Sequence, residues 1–148
     1  MQLRSTLLVV FISIVSLALG QNTAGQKDSI GKNPTPIDGK AIVYIIRSSS
    51  FGALIKMNVD CDSVHIGSTK AKRYIYTVIT PGKHSFVSRS ENDYTLDLDT
   101  EAGKIYYIKQ EPKMGVLYAE TKLEVLNEED GKKYLAKCKL SKDNVYTN

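Results

Sequence analysis

The stretch KAIVYII, Lys40 to Ile46, sets the strongest limit on how this chain folds. It is apolar without interruption after the lysine and is bounded by turn formers, the pattern of a β-strand covered on both faces. The stretches that follow alternate instead. Ile55, Met57, Val59 and Cys61 are apolar while Lys56, Asn58 and Asp60 are polar, and Tyr94, Leu96 and Leu98 alternate with Thr95, Asp97 and Asp99. A period of two marks strands with one buried face.

Turn chemistry divides these runs into short pieces. Asp62-Ser63 makes a turn after which Val64 and Ile66 are expected on the core face, with His65 pointing away. Gly67 to Lys70 breaks the strand, and RYIYTVI resumes it from Arg73 to Ile79. Thr80-Pro81-Gly82-Lys83 places Pro and Gly at the centre of a type II turn. Another strand runs from His84 to about Arg89, and later ones follow Ala102-Gly103 and Gly115. Nine Tyr and no Trp, among many Val, Ile and Thr, agree with strands. The expectation is an all-β dominated domain, an antiparallel β-sandwich of seven or eight short strands with one C-terminal amphipathic α-helix.

That helix is expected over residues 127–140. Asn127 is a suitable N-cap, Glu128, Glu129 and Asp130 suit the positive end of the helix dipole, and Lys132, Lys133, Lys137 and Lys139 suit its later turns. Tyr134, Leu135 and Cys138 form an apolar stripe that needs a sheet face. Gly131 within it costs about 1 kcal/mol relative to Ala, so tertiary packing must hold this helix.

The first twenty residues are read as a signal peptide rather than as part of the fold. Arg4 supplies a positive n-region, Leu7 to Leu19 is uncharged and apolar, and Ala18-Leu19-Gly20 offers small residues for cleavage before Gln21. Residues 21–38 are rich in turn formers and are expected to be a flexible leader, 39–141 the domain, and 142–148 a tail. The apolar run is short for a membrane span, and no second run approaches that length, so no stable span is expected after cleavage. The expected location is the periplasm or the exterior.

Charge and motifs exclude more than they assign. Without Arg4 the chain has 19 basic against 16 acidic residues, a net of +3, too little for a nucleic-acid footprint. Lys70, Lys72, Arg73 and Lys83 cluster in sequence and are read as a solvated strand edge. Gly67-Ser68-Thr69-Lys70 lacks the order and the following helix of a phosphate-binding loop. His65 and His84 have no i, i+4 partner; a metal shared with Asp60 or Asp62 is the alternative to their lying in solvent. Ser48, Ser49 and Ser50 lack a nucleophile elbow, and Asp97, Asp99 and Glu101 fit one solvated face. No catalytic residue, metal ligand or cofactor is assigned. Tyr74, Tyr76, Tyr106, Tyr107 and Tyr118 would form an aromatic platform for sugar or peptide if exposed, and cross-strand core pairs if buried.

Cys61 continues an inward strand row and Cys138 lies on the helix stripe. If that helix packs on that sheet face, a disulfide would close a loop of 77 residues, stabilising by roughly 4 to 5 kcal/mol. Two separate buried thiols are the alternative.

VDCDSVHIGS, YIYTVITPGKHSF, LDLDTEAGKIYYIKQEPKMG and KLEVLNEEDGKKYLAKCKL, in that order, resemble the exported bacterial family called domain of unknown function 2846, over about Gly39 to Leu140. The Pro81 to His84 turn, the Ala102 to Tyr107 strand entry and the Leu126 to Lys133 helix start are its most specific parts, and the first is also similar to PEGA-type surface modules. The resemblance implies a compact sandwich with a terminal helix in the cell envelope and no catalytic residues. Some relatives are lipoproteins; this chain lacks their lipid-bearing Cys. The expected function is that of a non-catalytic envelope or secreted module binding a protein or glycan, with a small hydrolase or metal-dependent enzyme around His65 and His84 as the alternative.

Overall fold

The computed structural model describes residues 28, 31–115 and 119–145. The signal segment, half of the leader and Tyr118 lie outside them. Among the described residues the strands are β1 (Ala41–Arg47), β2 (Met57–Cys61), β3 (Val64–Thr69), β4 (Arg73–Ile79), β5 (Gly82–Arg89), β6 (Asp93–Thr100), β7 (Ile105–Met114), β8 (Ala119–Leu126) and β9 (Lys139–Leu140), with helix α1 (Glu128–Ala136) before the last. They form a five-stranded sheet, β8-β7-β1-β4-β9, and a four-stranded sheet, β3-β2-β5-β6. The mostly β, two-sheet architecture is the expected one, with nine strands in place of seven or eight.

The five-stranded sheet is mixed rather than antiparallel, because β1 runs parallel to β7 and β4 parallel to β9. The first parallel pair arises where the chain leaves β6, turns at residues 101–104, and enters the other sheet in the direction of β1.

β1 occupies the centre of its sheet, and every one of its residues is buried, as the unbroken apolar run required. Its two faces build two cores. Val43 and Ile45 face the four-stranded sheet and pack with Val59, Ile66, Phe86 and Ile108. Ile42, Tyr44 and Ile46 face outward and pack with Tyr74, Tyr107, Leu135 and Cys138 beneath α1. Each large buried side chain contributes about 2 kcal/mol, so one strand couples both layers.

The two cores explain why the cysteines stay apart. Cys61 belongs to the inner cluster and Cys138 to the outer one, on opposite sides of β1, and both are free. The expected bridge is not formed, because the helix stripe covers the outer face of the five-stranded sheet, not the face that β2 lines. The helix itself ends at Ala136, before the expected 140: Lys137 caps it, and Lys139–Leu140 pair with Arg73 and Tyr74. Asn127 caps the other end as expected, accepting from the Asp130 amide. Gly131 lies against the Tyr107 ring, where a Cβ would come within 2.2 Å of Cγ; the glycine lets α1 approach the sheet.

Two further strand assignments are corrected. The β2–β3 ladder shifts register between Val59 and Asp60, and Val64, opposite Cys61 on the core face but first in its strand, is 55% exposed rather than buried. Ile55 precedes β2 and sits in the β1–β2 loop, so it does not share the burial of Met57, Val59 and Cys61.

Side chains close the seams between the sheets. On one side Asn92 accepts from the Thr121 amide and donates to its carbonyl, giving β8 a substitute partner. On the other, residues 141–145 run between β4 and β3: Ser141 N donates to Tyr74 O, Tyr76 N to the Asn144 side chain, and Val145 N to Ile66 O. Asp28 and Gly31, within the stretch read as leader, are likewise tied to the domain. The Asp28 carboxylate accepts from Leu140 N, and the carbonyls of Gly31 and Asp28 accept from the hydroxyls of Tyr44 and Tyr74.

Candidate functional site

The sandwich has two ends, and each gathers loops from both sheets. At the first lie the β2–β3 turn (62–63), the β4–β5 turn (80–81) and the β6–β7 turn (101–104). At the second lie the β1–β2 loop (48–56), the β3–β4 turn (70–72) and the β5–β6 turn (90–92). Lys83 sits at the first end and Lys70, Lys72 and Arg73 at the second, so the basic cluster of the sequence is divided in space.

The first end brings Cys61, Asp62 and His84 together. Asp62 and Ser63 both have positive φ (49° and 68°), the two-residue hairpin turn whose twist matches the strands, and Asp tolerates that conformation well. The turn brings the Asp62 carboxylate over β5. Its Oδ1 accepts from Ser85 N at 2.9 Å, and its Oδ2 accepts from His84 Nδ1 at 2.6 Å. His84 Nε2 meets the Thr80 carbonyl at 2.7 Å. A carboxylate and a carbonyl can only accept, so both nitrogens must donate, which selects the imidazolium. Burial works against this charge, but the bonds to Asp62 and Thr80 outweigh it and hold His84 above the ordinary imidazole value. The Ser85 amide and then His84 hold the Asp62 carboxyl below the usual carboxylate range.

A cleft of about 530 Å³ opens beside this pair, lined by Asp62, Lys83, His84, Ser85, Asp97, Leu98 and Asp99. Asp97 and Asp99 are exposed on β6, as the alternation of that strand predicts. Cys61 Sγ, an Asp62 oxygen and a His84 nitrogen lie within 4.8 Å of one another, a donor set that zinc accepts. Yet burial and the adjacent Asp62 push the Cys61 thiol up to about 12, and both His84 nitrogens already donate, one to Asp62 and one to Thr80. A metal would have to break this network before it could use it.

The structure gives each histidine its own aspartate. His65 Nδ1 lies 3.1 Å from Asp60 Oδ1, brought opposite by the bulge, while Arg89 Nε donates to Asp60 Oδ2 at 2.8 Å. Burial raises the Asp60 carboxyl, but bonds from Arg89 and His65 bring it below its usual range. Ser48, Ser49 and Ser50 fall at the opposite end from His84, and Ser49 Oγ accepts from the Phe51 amide.

The tyrosines do not form an exposed platform. Tyr74 and Tyr107 are buried with Tyr44 in the outer core, their ring centroids 6.0 and 5.5 Å from that of Tyr44. Tyr76 is half-buried beside them, its centroid 5.5 Å from that of Tyr44. Tyr106 packs against the inner core, and its hydroxyl accepts from Glu101 N.

Sequence reasoning passed over Arg47, the most deeply buried charge described. Its guanidinium donates to the carbonyls of Ile55 (2.6 Å), Gly52 (2.6 Å) and Phe51 (3.0 Å). A lone arginine closing an otherwise apolar strand was the available signal.

A protein of Haemophilus influenzae (strain ATCC 51907 / DSM 11121 / KW20 / Rd), described as an uncharacterized protein, is 33% identical to this chain over 108 residues. Those residues are 72% of this chain and 64% of the relative, so the chain spans less than two-thirds of that protein's length. No solved structure matches the chain. Residues 37–122, more than half of the chain, match the family described as "Protein of unknown function (DUF2846)", and the chain belongs to that family.

Proposed function

We propose that this chain is an exported module of the cell envelope that binds a protein or a glycan and carries out no catalysis. The export half rests on sequence: Arg4, the apolar run Leu7 to Leu19, and the small residues before Gln21. Among the described residues no helix is long and apolar enough to cross a membrane.

The binding half rests on His84. General base or nucleophilic chemistry needs a ring nitrogen free to take a proton, and both nitrogens of His84 are held by acceptors. What the cleft does offer is recognition: the Asp97 and Asp99 carboxylates, the Lys83 ammonium and the Ser85 hydroxyl around Leu98. Such groups bond sugar hydroxyls or the charged side chains of a protein segment.

Two measurements test this reading. Antibody detection on fractionated cells, with sequencing of the N-terminus, is expected to find a protein outside the cytoplasm that lacks about twenty residues. Capture from the envelope fraction is expected to yield one partner whose retention falls in Asp97→Ala/Asp99→Ala and survives in Ser49→Ala. A full-length cytoplasmic protein would refute export, and turnover of an ester or glycoside that His84→Ala abolishes would refute the non-catalytic role.

A further inference from the structure

The second end of the sandwich presents apolar side chains to water on a loop that is rigidly held. Leu54 is 91% exposed, Phe51 43% and Ile55 36% in the β1–β2 loop, and Met114 at the end of β7 is 80% exposed. The register places these positions together, since Arg47 at the end of β1 faces Arg73, and β7 runs parallel to β1 and past its end. Half of the large exposed hydrophobic side chains among the described residues thus lie at one end. The loop is fixed from below by the buried Arg47 guanidinium on three of its carbonyls, and Ile55 N donates to Gly52 O. A buried cation without a carboxylate is costly, and here it fixes the shape of a loop whose Leu54 gains almost no burial within the fold and whose Phe51 and Ile55 gain only part of theirs.

Basic residues surround these tips. Lys70, Lys72 and Arg73 form the β3–β4 turn and the start of β4, Lys139 pairs beside Arg73, and Lys113 precedes Met114. The acids at this end are Asp28, Glu91, Asp93, Glu111, Glu120 and Asp143, of which Asp28 is held by Lys32, Asp93 by Arg89, Glu111 by Lys109 and Asp143 by Lys56. Apolar tips within a cationic rim match a lipid surface, where acyl chains take the former and anionic headgroups the latter.

The position of Asp28 supplies an independent indication. Its carboxylate accepts from Leu140 N, and Leu140 pairs with Tyr74 beside Arg73. The chain therefore joins the domain on this side, and only residues 20–27 separate Asp28 from the apolar segment Leu7 to Leu19, a reach of at most about 32 Å. A membrane that engages that segment, in transit or retained, is within reach of this end.

We propose that the β1–β2 loop, with Phe51, Leu54 and Ile55, together with the Lys70 to Arg73 turn, docks this end of the domain on an anionic lipid bilayer. The Asp62–His84 cleft then faces away from the membrane, toward the protein or glycan of the preceding reading. The docking deepens that reading, while its test is independent of it.

The chain contains no tryptophan, so Leu54→Trp introduces a single reporter at a position already in solvent, and Val64→Trp places another at the opposite end. Both are made in the full chain and mixed with vesicles of phosphatidylcholine and phosphatidylglycerol carrying brominated acyl chains. Leu54→Trp is expected to shift its emission to the blue and to be quenched, and Val64→Trp to do neither. Lys70→Glu/Lys72→Glu in the Leu54→Trp background is expected to raise the lipid concentration needed by about tenfold or more. The proposal is overturned if Leu54→Trp stays unshifted on vesicles that carry the protein through its N-terminal segment, or if both reporters respond equally. It is equally overturned if Leu54→Trp responds to a purified envelope protein and not to lipid. Failure of the vesicle test with export intact leaves the binding reading standing, and a cytoplasmic location leaves the vesicle result to stand alone.

Discussion

Each end of the sandwich fixes its loops by setting one cation against oxygen acceptors, but the two cations differ in what they can lose. At one end Arg47, fully buried, holds the carbonyls of Phe51, Gly52 and Ile55. At the other, His84, partly open to water, holds the Asp62 carboxylate and the Thr80 carbonyl. Burial lowers the proton affinity of Arg47, yet a guanidinium starts so high that it stays charged. Imidazole does not. The loop end is therefore fixed at every physiological pH, and the cleft end is adjustable.

Breaking the first end is expected to cost most. Arg47→Leu fits the apolar surroundings but leaves three carbonyl acceptors without their donor, a loss of about 3 kcal/mol and a fall in melting temperature on the order of 10 °C. The loss is expected to be the same at pH 5.5 and pH 8. Arg47→Lys is expected to recover only part of it, since a point charge cannot reproduce the planar fork. Thermal melts of the three proteins decide the matter; a pH-dependent loss would remove the contrast between the ends.

The His84 end is expected to respond in the opposite manner. Its pKa is raised in the folded state, so its stabilisation is complete below the ordinary imidazole value of about 6.5 and is lost as pH rises through the folded value. The Asp62 carboxyl is lowered, so its contribution is present above about 4 and is lost as pH falls through the folded value. Both partners are charged between those limits. His84→Gln should therefore destabilise most near pH 5.5, by about 1 kcal/mol for a pair whose carboxylate is half exposed, with a difference from wild type that shrinks above pH 8. An equal difference at both pH values would show that His84 acts through packing.

These two ends were unequally legible in the sequence, for physical reasons. β1 could be read because burial on both faces leaves an unbroken apolar run, and α1 because Asn127 and the acids after it act within one turn of chain. The side of the sheet that α1 covers could not be read, since that depends on how β7 enters beside β1, and the mistaken pairing of Cys61 with Cys138 followed from it. Gly131 looked like a local cost and is a contact, because the Tyr107 ring that needs the space comes from another strand. Asp60, Asp62, His65 and His84 were all visible as candidates. Which aspartate meets which histidine depends on a one-residue bulge and a two-residue turn, and composition carries no record of either. Arg47 left only the trace of one charge after six apolar residues.

The smallest effect should come from the second histidine, and it sharpens the comparison by holding the chemistry nearly constant. His65, like His84, has Nδ1 on an aspartate, at 3.1 Å from Asp60. Its side chain is half exposed, whereas that of His84 is only 11% exposed. Asp60 also keeps its bond from Arg89 when His65 is removed, while Asp62 loses its bond from a side-chain cation when His84 is removed. A surface ion pair of this kind contributes a few tenths of a kcal/mol. His65→Ala is therefore expected to leave the melting temperature nearly unchanged at pH 5.5, where His84→Gln has its greatest effect. A loss as large as that of His84→Gln would mean that the aspartate pairing itself, and not the second acceptor at Thr80 and the reduced exposure, sets the strength of the cleft end.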